Sequence, residues 1–443
     1  MNAPGAAVSR RTVLRAALAS GLAAMMATAC RTRQPTSLAA EPTSLGGTKV
    51  QLLTAEGVSR ETPRHVRLDA TVKGMTDFAY RLYQLTATPG SNSALSPLSI
   101  AVCFAMARAG ARGKTAAEID SVFSFPSDVH AAFNQLVRDV VTVEGAPPKP
   151  SGAKTRSADA KPAPPVVCVA NGLFAQHGLP IGAEFLRVLG AQYGSGVYAL
   201  AFRSPQASAR INAWVAEQTA GRIKKLFEQL SENIKLVLAN TVYLKADWAN
   251  PFAEKPARDE PFSRADGSRV VVPMMHNEQP FRYAAGGGWQ AVELPYRQSE
   301  LAMWVLVPGP GRTPGDLLVP GVLADASRKA TRVRVNLSMP RWDFETHLNL
   351  LAPLAKLGLD AARSDFSGIN PELILDQAVH RTRITVDEWG TEAAAVTGMA
   401  FLTALPPPAE VTVRADRPFA FTITHTPTRT PLFLGHVADP KPS

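Results

Sequence analysis

Residues 386–397 read Val-Asp-Glu-Trp-Gly-Thr-Glu-Ala-Ala-Ala-Val-Thr, and a loose tail follows over 398–408. The pattern is that of a strand that stops at Gly390 and continues in residues small enough to become strand again. Because strand side chains alternate between two faces, Thr391 and every second residue after it share one face, while Glu392 lies on the other. Glu-Ala-Ala-Ala composition alone also fits a helix. One charge on one face instead favours insertion of this segment into a sheet.

Three other motifs accompany this one, and they read LSPLSI at 95–100, NTVYLKADW at 240–248, and RPFAFTI with PLFLGHV at 417–423 and 431–437. In this order along the chain, the four motifs resemble the serpin family of protease inhibitors. In that family they are the start of helix B, strand 3 of sheet A, the hinge from which a reactive-centre loop leaves strand 5, and the C-terminal strands.

The resemblance implies an α+β serpin fold in one domain, with a large central sheet A, two further sheets, about eight or nine helices and an exposed reactive-centre loop. Helical patterns come first in the chain, mixed patterns follow, and strand patterns end it. The predicted segments are a twin-arginine or lipoprotein-type signal at 1–30, a polar spacer at 31–64, the serpin domain at 65–440, a disordered surface insertion at 143–165, and the hinge and reactive-centre loop at 390–410.

The composition fits a packed globular protein, with 46% hydrophobic and 19% charged residues among 443. No internal run approaches the roughly 20 apolar residues that a membrane helix requires. The net charge of +10 raises the question of an acidic partner. Much of the excess lies in the N-terminus and in one linker, so we expect no nucleic-acid partner.

The N-terminal segment differs in composition from the rest of the chain. Ser-Arg-Arg-Thr-Val-Leu-Arg at 9–15 has the twin-arginine pattern, and a short apolar run follows at 16–29. Cys30 then resembles the cysteine that is acylated in exported lipoproteins, and the alternative is ordinary signal cleavage with Cys30 incidental. We predict an exported protein, either periplasmic, a cell-envelope lipoprotein or extracellular, whose only membrane contact is a lipid on Cys30.

Catalytic motifs are missing from the sequence, so we predict that the protein is not an enzyme and needs no metal or cofactor. It has no Gly-x-Ser-x-Gly elbow, His-Glu-x-x-His, Cys-x-x-Cys or Walker loop, and its eight histidines lack ligand spacing. Gly-Ser-Gly at 194–196 lacks the flanks of an elbow, and a secreted serine hydrolase is therefore disfavoured. Cys103 and Cys168 have apolar neighbours and are expected as buried thiols, with a disulfide as the alternative.

The resemblance assigns a buried polar cluster, the shutter, to sheet A. In the family a histidine pairs with an asparagine of strand 3 and with helix B hydroxyls, and the matching residues here are His380, Asn240, Ser96 and Ser99. Such a cluster can be satisfied in two arrangements, with strands 3 and 5 closed on each other or parted.

Two further sites follow from the resemblance, at the top of sheet A. The breach matches Trp248 together with an ion pair between Glu388 and Arg341. Trp389 departs from the family, which more often has a polar residue there, and it either reinforces breach packing or faces solvent. The hinge consists of Gly390, Thr391, Glu392, Ala393, Ala394 and Ala395.

The reactive bond is predicted by counting from Gly390 with the usual hinge length of inhibitory serpins, which puts it between Ala404 and Leu405. Counting back from residue 410 gives Leu405-Pro406 instead, a bond that proteases cleave poorly because proline is rigid and lacks an amide hydrogen. A small apolar residue before the cut predicts an elastase-like or subtilisin-like target. Trypsin-like targets are excluded, because no lysine or arginine occurs from 390 to 413.

The predicted function is that of an inhibitory serpin, a monomer whose partner is a target serine protease. The protease attacks the loop as a substrate, forms a covalent acyl complex, and is trapped when residues 391–402 insert into sheet A. Serpin loop insertion is itself a standard example of strand addition and of released strain. The alternative is a non-inhibitory serpin acting as a binding protein or chaperone, which bulky, charged or proline residues in the hinge would favour.

Mass spectrometry of the C-terminal peptide released by an attacking protease tests the reactive bond. We expect the peptide to start at Leu405. In the variant Ala404→Arg we expect inhibition to shift toward trypsin-like enzymes, because arginine fills their acidic pocket while the trapping machinery is unchanged. A wild-type peptide that starts at another residue would move the assignment.

Overall fold

The structure is a computed structural model that describes residues 38–45, 48–148, 164–230, 234–252, 257–375, 377–392 and 408–441. The described α-helices are α1 (Asp69–Thr86), α2 (Pro97–Gly110), α3 (Gly113–Phe123), α4 (Val129–Val140), α5 (Ala183–Val188), α6 (Ala207–Gln218), α7 (Val322–Lys329) and α8 (Leu351–Leu357). A π-helix, Leu189–Tyr193, continues α5 directly.

The described strands are β1 (Leu38–Leu45), β2 (Thr48–Ala55), β3 (Ser93–Leu95), β4 (Val166–Gln176), β5 (Val197–Leu200), β6 (Leu236–Asp247), β7 (Arg258–Ser263), β8 (Arg269–Gly286), β9 (Trp289–Pro295), β10 (Leu301–Pro308), β11 (Thr331–Pro340), β12 (Trp342–Asn349), β13 (Val379–Val386), β14 (Gly390–Thr391), β15 (Val411–Arg414), β16 (Phe419–His425) and β17 (Thr430–Val437).

Eight strands form the first sheet, sheet A, in the order β1-β2-β5-β4-β6-β14-β13-β12. The long strands β4 and β6 are antiparallel, as are β12 and β13 at the other side of the sheet. Helix α6 covers part of the sheet, because Ile211 and Trp214 are buried in one apolar cluster with Phe174 of β4. Helix α2 packs against β4 and β6 of sheet A and also against β17.

The centre of sheet A depends on β14, which is only two residues long. Gly390 pairs with Asp247 of β6, and Thr391 pairs with both Ala246 of β6 and Val386 of β13. Within the described ranges β6 and β13 have no pairing with each other. The hinge therefore begins a strand in the middle of the sheet.

The second sheet contains nine strands, eight of them in the order β15-β11-β8-β9-β10-β16-β17-β3, with β7 paired to β8. Its strands β10, β16 and β17 are buried at every residue. Strands covered on both faces read as nearly continuous apolar runs, as Leu-Ala-Met-Trp-Val-Leu-Val does at 301–307. The predicted α+β fold, with a large central sheet and surrounding helices, is confirmed. The described strands outside sheet A form one continuous sheet where two further sheets were predicted, because the long strand β8 pairs with both β11 and β9.

The N-terminal segment requires a correction. The sequence predicts a polar spacer at 31–64, yet residues 38–45 and 48–55 form the antiparallel strands β1 and β2, and β2 pairs with β5 of sheet A. The physical reason is the burial of Leu45 and Val50 beneath α6, whereas the polar neighbours of these residues conceal the strand pattern in the sequence. The predicted signal at 1–30, including Cys30, and most of the predicted insertion, at 149–163, lie outside the described residues.

Two smaller expectations concern cysteines and membrane helices. Cys103 and Cys168 are free thiols, so they form no disulfide with each other, and burial raises the pKa of Cys168 to about 11. No helix in the described part of the chain has the length and apolar character needed to cross a membrane.

Candidate functional site

The hinge begins with a tight turn after β13. Asp387 closes this turn, because its Oδ1 accepts hydrogen bonds from the amides of Trp389, at 2.8 Å, and Gly390, at 3.2 Å. The amide of Asp387 donates to the carbonyl of Gly390 at 3.1 Å. Burial raises the pKa of Asp387 to about 6. An aspartate side chain that bonds its own backbone two residues on is a common turn device, and here it reverses the chain into β14.

Gly390 lies against the backbone of β6. A Cβ at this position would be 2.1 Å from the carbonyl oxygen of Ala246, a distance that real Cβ atoms do not reach. The neighbouring atom belongs to backbone within a sheet, so it cannot move aside as the end of a side chain could. Only glycine therefore allows the hinge to enter sheet A at this point.

Thr391 is buried at the breach, with 2% of its surface exposed. Its hydroxyl is 2.6 Å from the hydroxyl of Tyr296, and burial raises the pKa of Tyr296. The Tyr296 ring stacks on Trp248, with centroids 4.5 Å apart. Trp248 also holds the turn, because its amide donates to the Trp389 carbonyl at 2.7 Å and its Nε1 donates to the Asp387 carbonyl at 3.1 Å. The Thr391 side chain therefore lies against an aromatic pair that also holds the turn.

Glu392 has a separate polar environment. Its carboxylate Oε1 is 3.2 Å from Nε of Arg222, in the segment that follows α6, and only 7% of the residue is exposed. Burial raises the pKa of Glu392 to about 7, whereas Arg222, Tyr243, Lys245 and Arg383 act in the opposite direction. Its φ is +55°, an uncommon conformation for a residue with a side chain. The last described residue of the hinge is therefore a carboxyl group whose ionised form is destabilised by burial.

Glu388 and Arg341 form an ion pair beside the turn. Arg341 Nε donates to Glu388 Oε1 at 2.7 Å, and its Nη2 contacts the same oxygen. The glutamate side chain is nearly buried, with 10% exposed, while 49% of the arginine side chain is exposed. The carbonyl of Glu388 accepts a hydrogen bond from the Phe252 amide at 2.8 Å. The pair therefore links the end of β13 to the end of β11, next to Trp248.

The shutter residues meet where α2 begins. Ser96 caps this helix by accepting a hydrogen bond from the Ser99 amide, and Pro97 occupies its first turn. The Ser96 amide donates to Nε2 of His380 at 3.1 Å. His380 is 3% exposed, and burial lowers its pKa to about 3, so it is neutral with its proton assigned to Nδ1.

A small cavity of about 30 Å³ adjoins this cluster, lined in part by Ser99, Leu238 and His380. The backbone of Asn240 pairs with Asn171 of β4, and its side chain lies outside what the structure describes. The cavity shows that packing is incomplete between α2, β6 and β13.

Comparison with known proteins agrees with this geometry. Residues 73–440 match the family model described as serpin (serine protease inhibitor). The chain belongs to the serpin family. A serpin-like protein of Thermococcus kodakarensis is 34% identical over 385 residues, which cover 84% of this chain and 86% of that protein. Leukocyte elastase inhibitor of Bos taurus is 33% identical over 389 residues, covering 82% and 98% respectively.

Solved serpin structures have the same architecture. The thermophilic serpin tengpin in its native state gives a TM-score of 0.75 at 23% identity, covering 86% of this chain and 97% of tengpin, a likeness of fold alone. The complex of thyroxine-binding globulin with thyroxine gives a TM-score of 0.71 at 27% identity, covering 83% and 98%.

Several residues that contact the serpin hinge carry no sequence signal. Tyr296 and Arg222 each hold one hinge residue, but their partners are far along the chain and no motif surrounds them. Thr382 joins the shutter by donating to the Ala94 carbonyl at 3.0 Å; the alternation of β13 could have indicated its burial. The predicted Ala393, Ala394, Ala395, Ala404 and Leu405 lie outside the described residues.

The variant Glu392→Gln tests the buried carboxyl. Because the folded pKa is about 7 and the ordinary value is 4.5, the folded serpin binds this proton between those pH values and the unfolded chain does not. The stability contributed by Glu392 is therefore present below pH 4.5 and is lost as pH rises toward 7. We expect the difference in melting temperature, wild type minus Glu392→Gln, to decrease as the pH rises from 5 to 7.5.

Glu228→Gln is the matched control, because 78% of the Glu228 side chain is exposed. Its difference from wild type should stay flat over the same pH range. Other buried groups titrate in both proteins alike, so they cancel in the difference. A flat difference for Glu392→Gln would contradict the burial of that carboxyl.

Proposed function

We propose that this serpin is inhibitory, a suicide-substrate inhibitor of serine proteases that traps the acyl-enzyme by inserting its cleaved loop into sheet A. The observation that carries the proposal is the position of β14. Gly390 and Thr391 already pair with β6 on one side and β13 on the other. A loop that begins as a central strand needs only to extend that strand after cleavage.

Backbone hydrogen bonding gives the driving force. β6 and β13 are not paired with each other in the described residues, so a strand between them would complete the pairing of both. Pairing two rows of backbone amides and carbonyls with an inserted strand is favourable, because each hydrogen bond formed contributes to stability. The alanines at 393–395 are small enough to pass between the two strands without a steric penalty.

The shutter supports the same mechanism through its geometry. His380 accepts one hydrogen bond from α2 and borders a cavity on the β6 side. A polar cluster beside a gap can exchange partners when the strands part, which lets the sheet open without leaving a buried group unsatisfied. Asn240, on strand β6, is the proposed second partner.

The target class and the cellular context are further parts of the proposal. With Ala404 before the cut, the target would be an elastase-like or subtilisin-like protease. The inhibitor would act as a monomer that forms a covalent acyl complex with its target. The N-terminal pattern supports export and acylation of Cys30, which would hold the inhibitor at the cell envelope.

A non-inhibitory serpin that binds a ligand is the second candidate. It is favoured by the likeness to thyroxine-binding globulin, whose solved structure contains thyroxine. The two functions differ in what they require of the hinge. An inhibitor must insert its loop before the acyl-enzyme is hydrolysed, whereas a ligand carrier has no such requirement. The small hinge residues favour inhibition.

The variant Thr391→Arg distinguishes the two functions. An arginine at this buried position would place an unpaired charge beside the Tyr296 hydroxyl and would stall insertion. With a panel of elastase-like and subtilisin-like proteases, we expect wild type to form SDS-resistant complexes. We expect Thr391→Arg to be cleaved as a substrate, with the yield of complex reduced about tenfold or more.

Thr331→Arg is the control for this variant, because Thr331 is exposed at the start of β11 and lies outside sheet A. It should form complexes at the wild-type yield. Equal yields from Thr391→Arg and Thr331→Arg would contradict inhibition by loop insertion, as would a wild-type protein that forms no complex with any member of the panel.

A further inference from the structure

A cavity of about 390 Å³ opens between α6, the C-terminal end of α4 and the strands β4 and β5. We call it the aromatic cavity. Its volume lies in the range of about 300 to 1,000 Å³ that is usual for sites that bind small organic molecules. None of its lining residues belongs to the hinge, the breach or the shutter. The cavity therefore has no part in the proposed inhibitory mechanism.

Aromatic and aliphatic side chains form the walls of the aromatic cavity. Trp214 of α6 and Tyr198 of β5 both pack on Phe174, with ring centroids 5.5 Å and 5.3 Å away. The Tyr198 hydroxyl accepts a hydrogen bond from the Trp214 side chain, and burial raises the pKa of Tyr198. The aliphatic lining residues are Leu52, Val137, Val141 and Val169. These fixed, flat walls suit a planar apolar molecule.

Arg60 supplies a cation to the lining of the cavity. Its Nε donates to Oδ1 of Asn134 at 2.9 Å, and its Nη2 donates to the Asn134 carbonyl at 3.3 Å. Its Nη1 contacts only the Glu144 carboxylate among the described residues, at 3.5 Å, and 82% of the Glu144 side chain is exposed. An ion pair with so exposed a partner contributes little to stability. A ligand could therefore replace Glu144 at Nη1 at small cost.

A second guanidinium increases the positive charge at this point. Arg138 Nε donates to the same Oδ1 of Asn134 at 3.2 Å, and its Nη2 donates to the Glu61 carbonyl at 3.0 Å. Two cations thus share one neutral oxygen. Burial and the charge of Arg138 lower the pKa of Arg60, and Glu144 acts in the opposite direction. A bound anion would relieve the repulsion between the two guanidiniums.

We propose that the aromatic cavity binds a small organic anion, a carboxylate on a flat apolar body, with the carboxylate on Arg60 and the body against Trp214 and Tyr198. Guanidinium is suited to this role because its planar donors match the oxygens of a carboxylate. A neutral ligand of the same shape would fill the walls but would leave the two cations uncompensated. The inference goes beyond protease inhibition and does not depend on it.

The test uses 2-naphthoate as the probe and 2-naphthamide, which has the same rings without the charge, as its neutral control. Isothermal titration calorimetry with the full-length protein measures both affinities. We expect 2-naphthoate to bind about tenfold more tightly than 2-naphthamide, the factor that a hydrogen bond to a charged group provides. Equal affinities in wild type, or no binding of 2-naphthoate, would overturn the proposal without the need for a variant.

The variant Arg60→Gln assigns the preference for the anion to one residue. It removes the charge but leaves an amide that can still donate to Asn134. We expect 2-naphthoate to bind about tenfold more weakly than in wild type, while the affinity for 2-naphthamide is unchanged. Arg60→Lys, which keeps the charge, should retain the preference. Arg363→Gln is the matched control, because the Arg363 side chain is 87% exposed and lies outside the cavity.

Quenching of tryptophan fluorescence locates the bound probe. Trp214 is 5% exposed and forms part of the wall, so we expect Trp214→Phe to lose most of the quenching that 2-naphthoate causes in wild type. Unchanged quenching in Trp214→Phe would place the probe elsewhere and overturn the proposal, as would equal affinities of Arg60→Gln and Arg363→Gln for 2-naphthoate. Protease complexes are assayed separately, so failure of inhibition would contradict the proposed function and leave this site standing.

Discussion

The close approach of Gly390 to β6 is the constraint on which the rest of the structure depends. The hinge backbone lies where the Ala246 carbonyl leaves no room for a Cβ. From this point the alternation of a strand places Thr391 at the aromatic pair of the breach and Glu392 beside Arg222. A hinge that entered one residue earlier or later would exchange these two environments, and a carboxylate would face Tyr296.

The described residues of the hinge therefore form only the first two residues of a central strand. Two residues of β14 connect the halves of sheet A, while β6 and β13 remain unpaired with each other in the described ranges. Under the proposed function, an intact protein whose loop lies outside the sheet is higher in free energy than the inserted form and persists only because insertion is slow. The shutter at His380 would act on this barrier from the middle of the sheet.

The sequence predicts the local features well, because their causes lie within a few residues. The glycine of the hinge, the alternation after it and the Ser96-Pro97 helix start are all of this kind, and the family resemblance supplies the sheet that connects them. The contacts of Tyr296 and Arg222 were not predictable in the same way. Tyr296 is 95 residues from Thr391, and Arg222 is also far along the chain from Glu392, so these contacts exist only after folding. Strands β1 and β2 were not predicted because polar residues surround their few buried ones.

Thermal unfolding before and after a single cut in the loop tests the central claim most directly. A cut within residues 399–405, verified by mass spectrometry, should free about a dozen residues to join sheet A, and each added main-chain hydrogen bond contributes roughly 0.5 to 1.5 kcal/mol net. The account predicts that the cleaved protein melts tens of degrees above the intact one, because about ten such bonds together are comparable to the whole stability of a typical domain. Equal melting temperatures for the intact and the singly cut protein would contradict it, because they would mean that the loop does not enter the sheet.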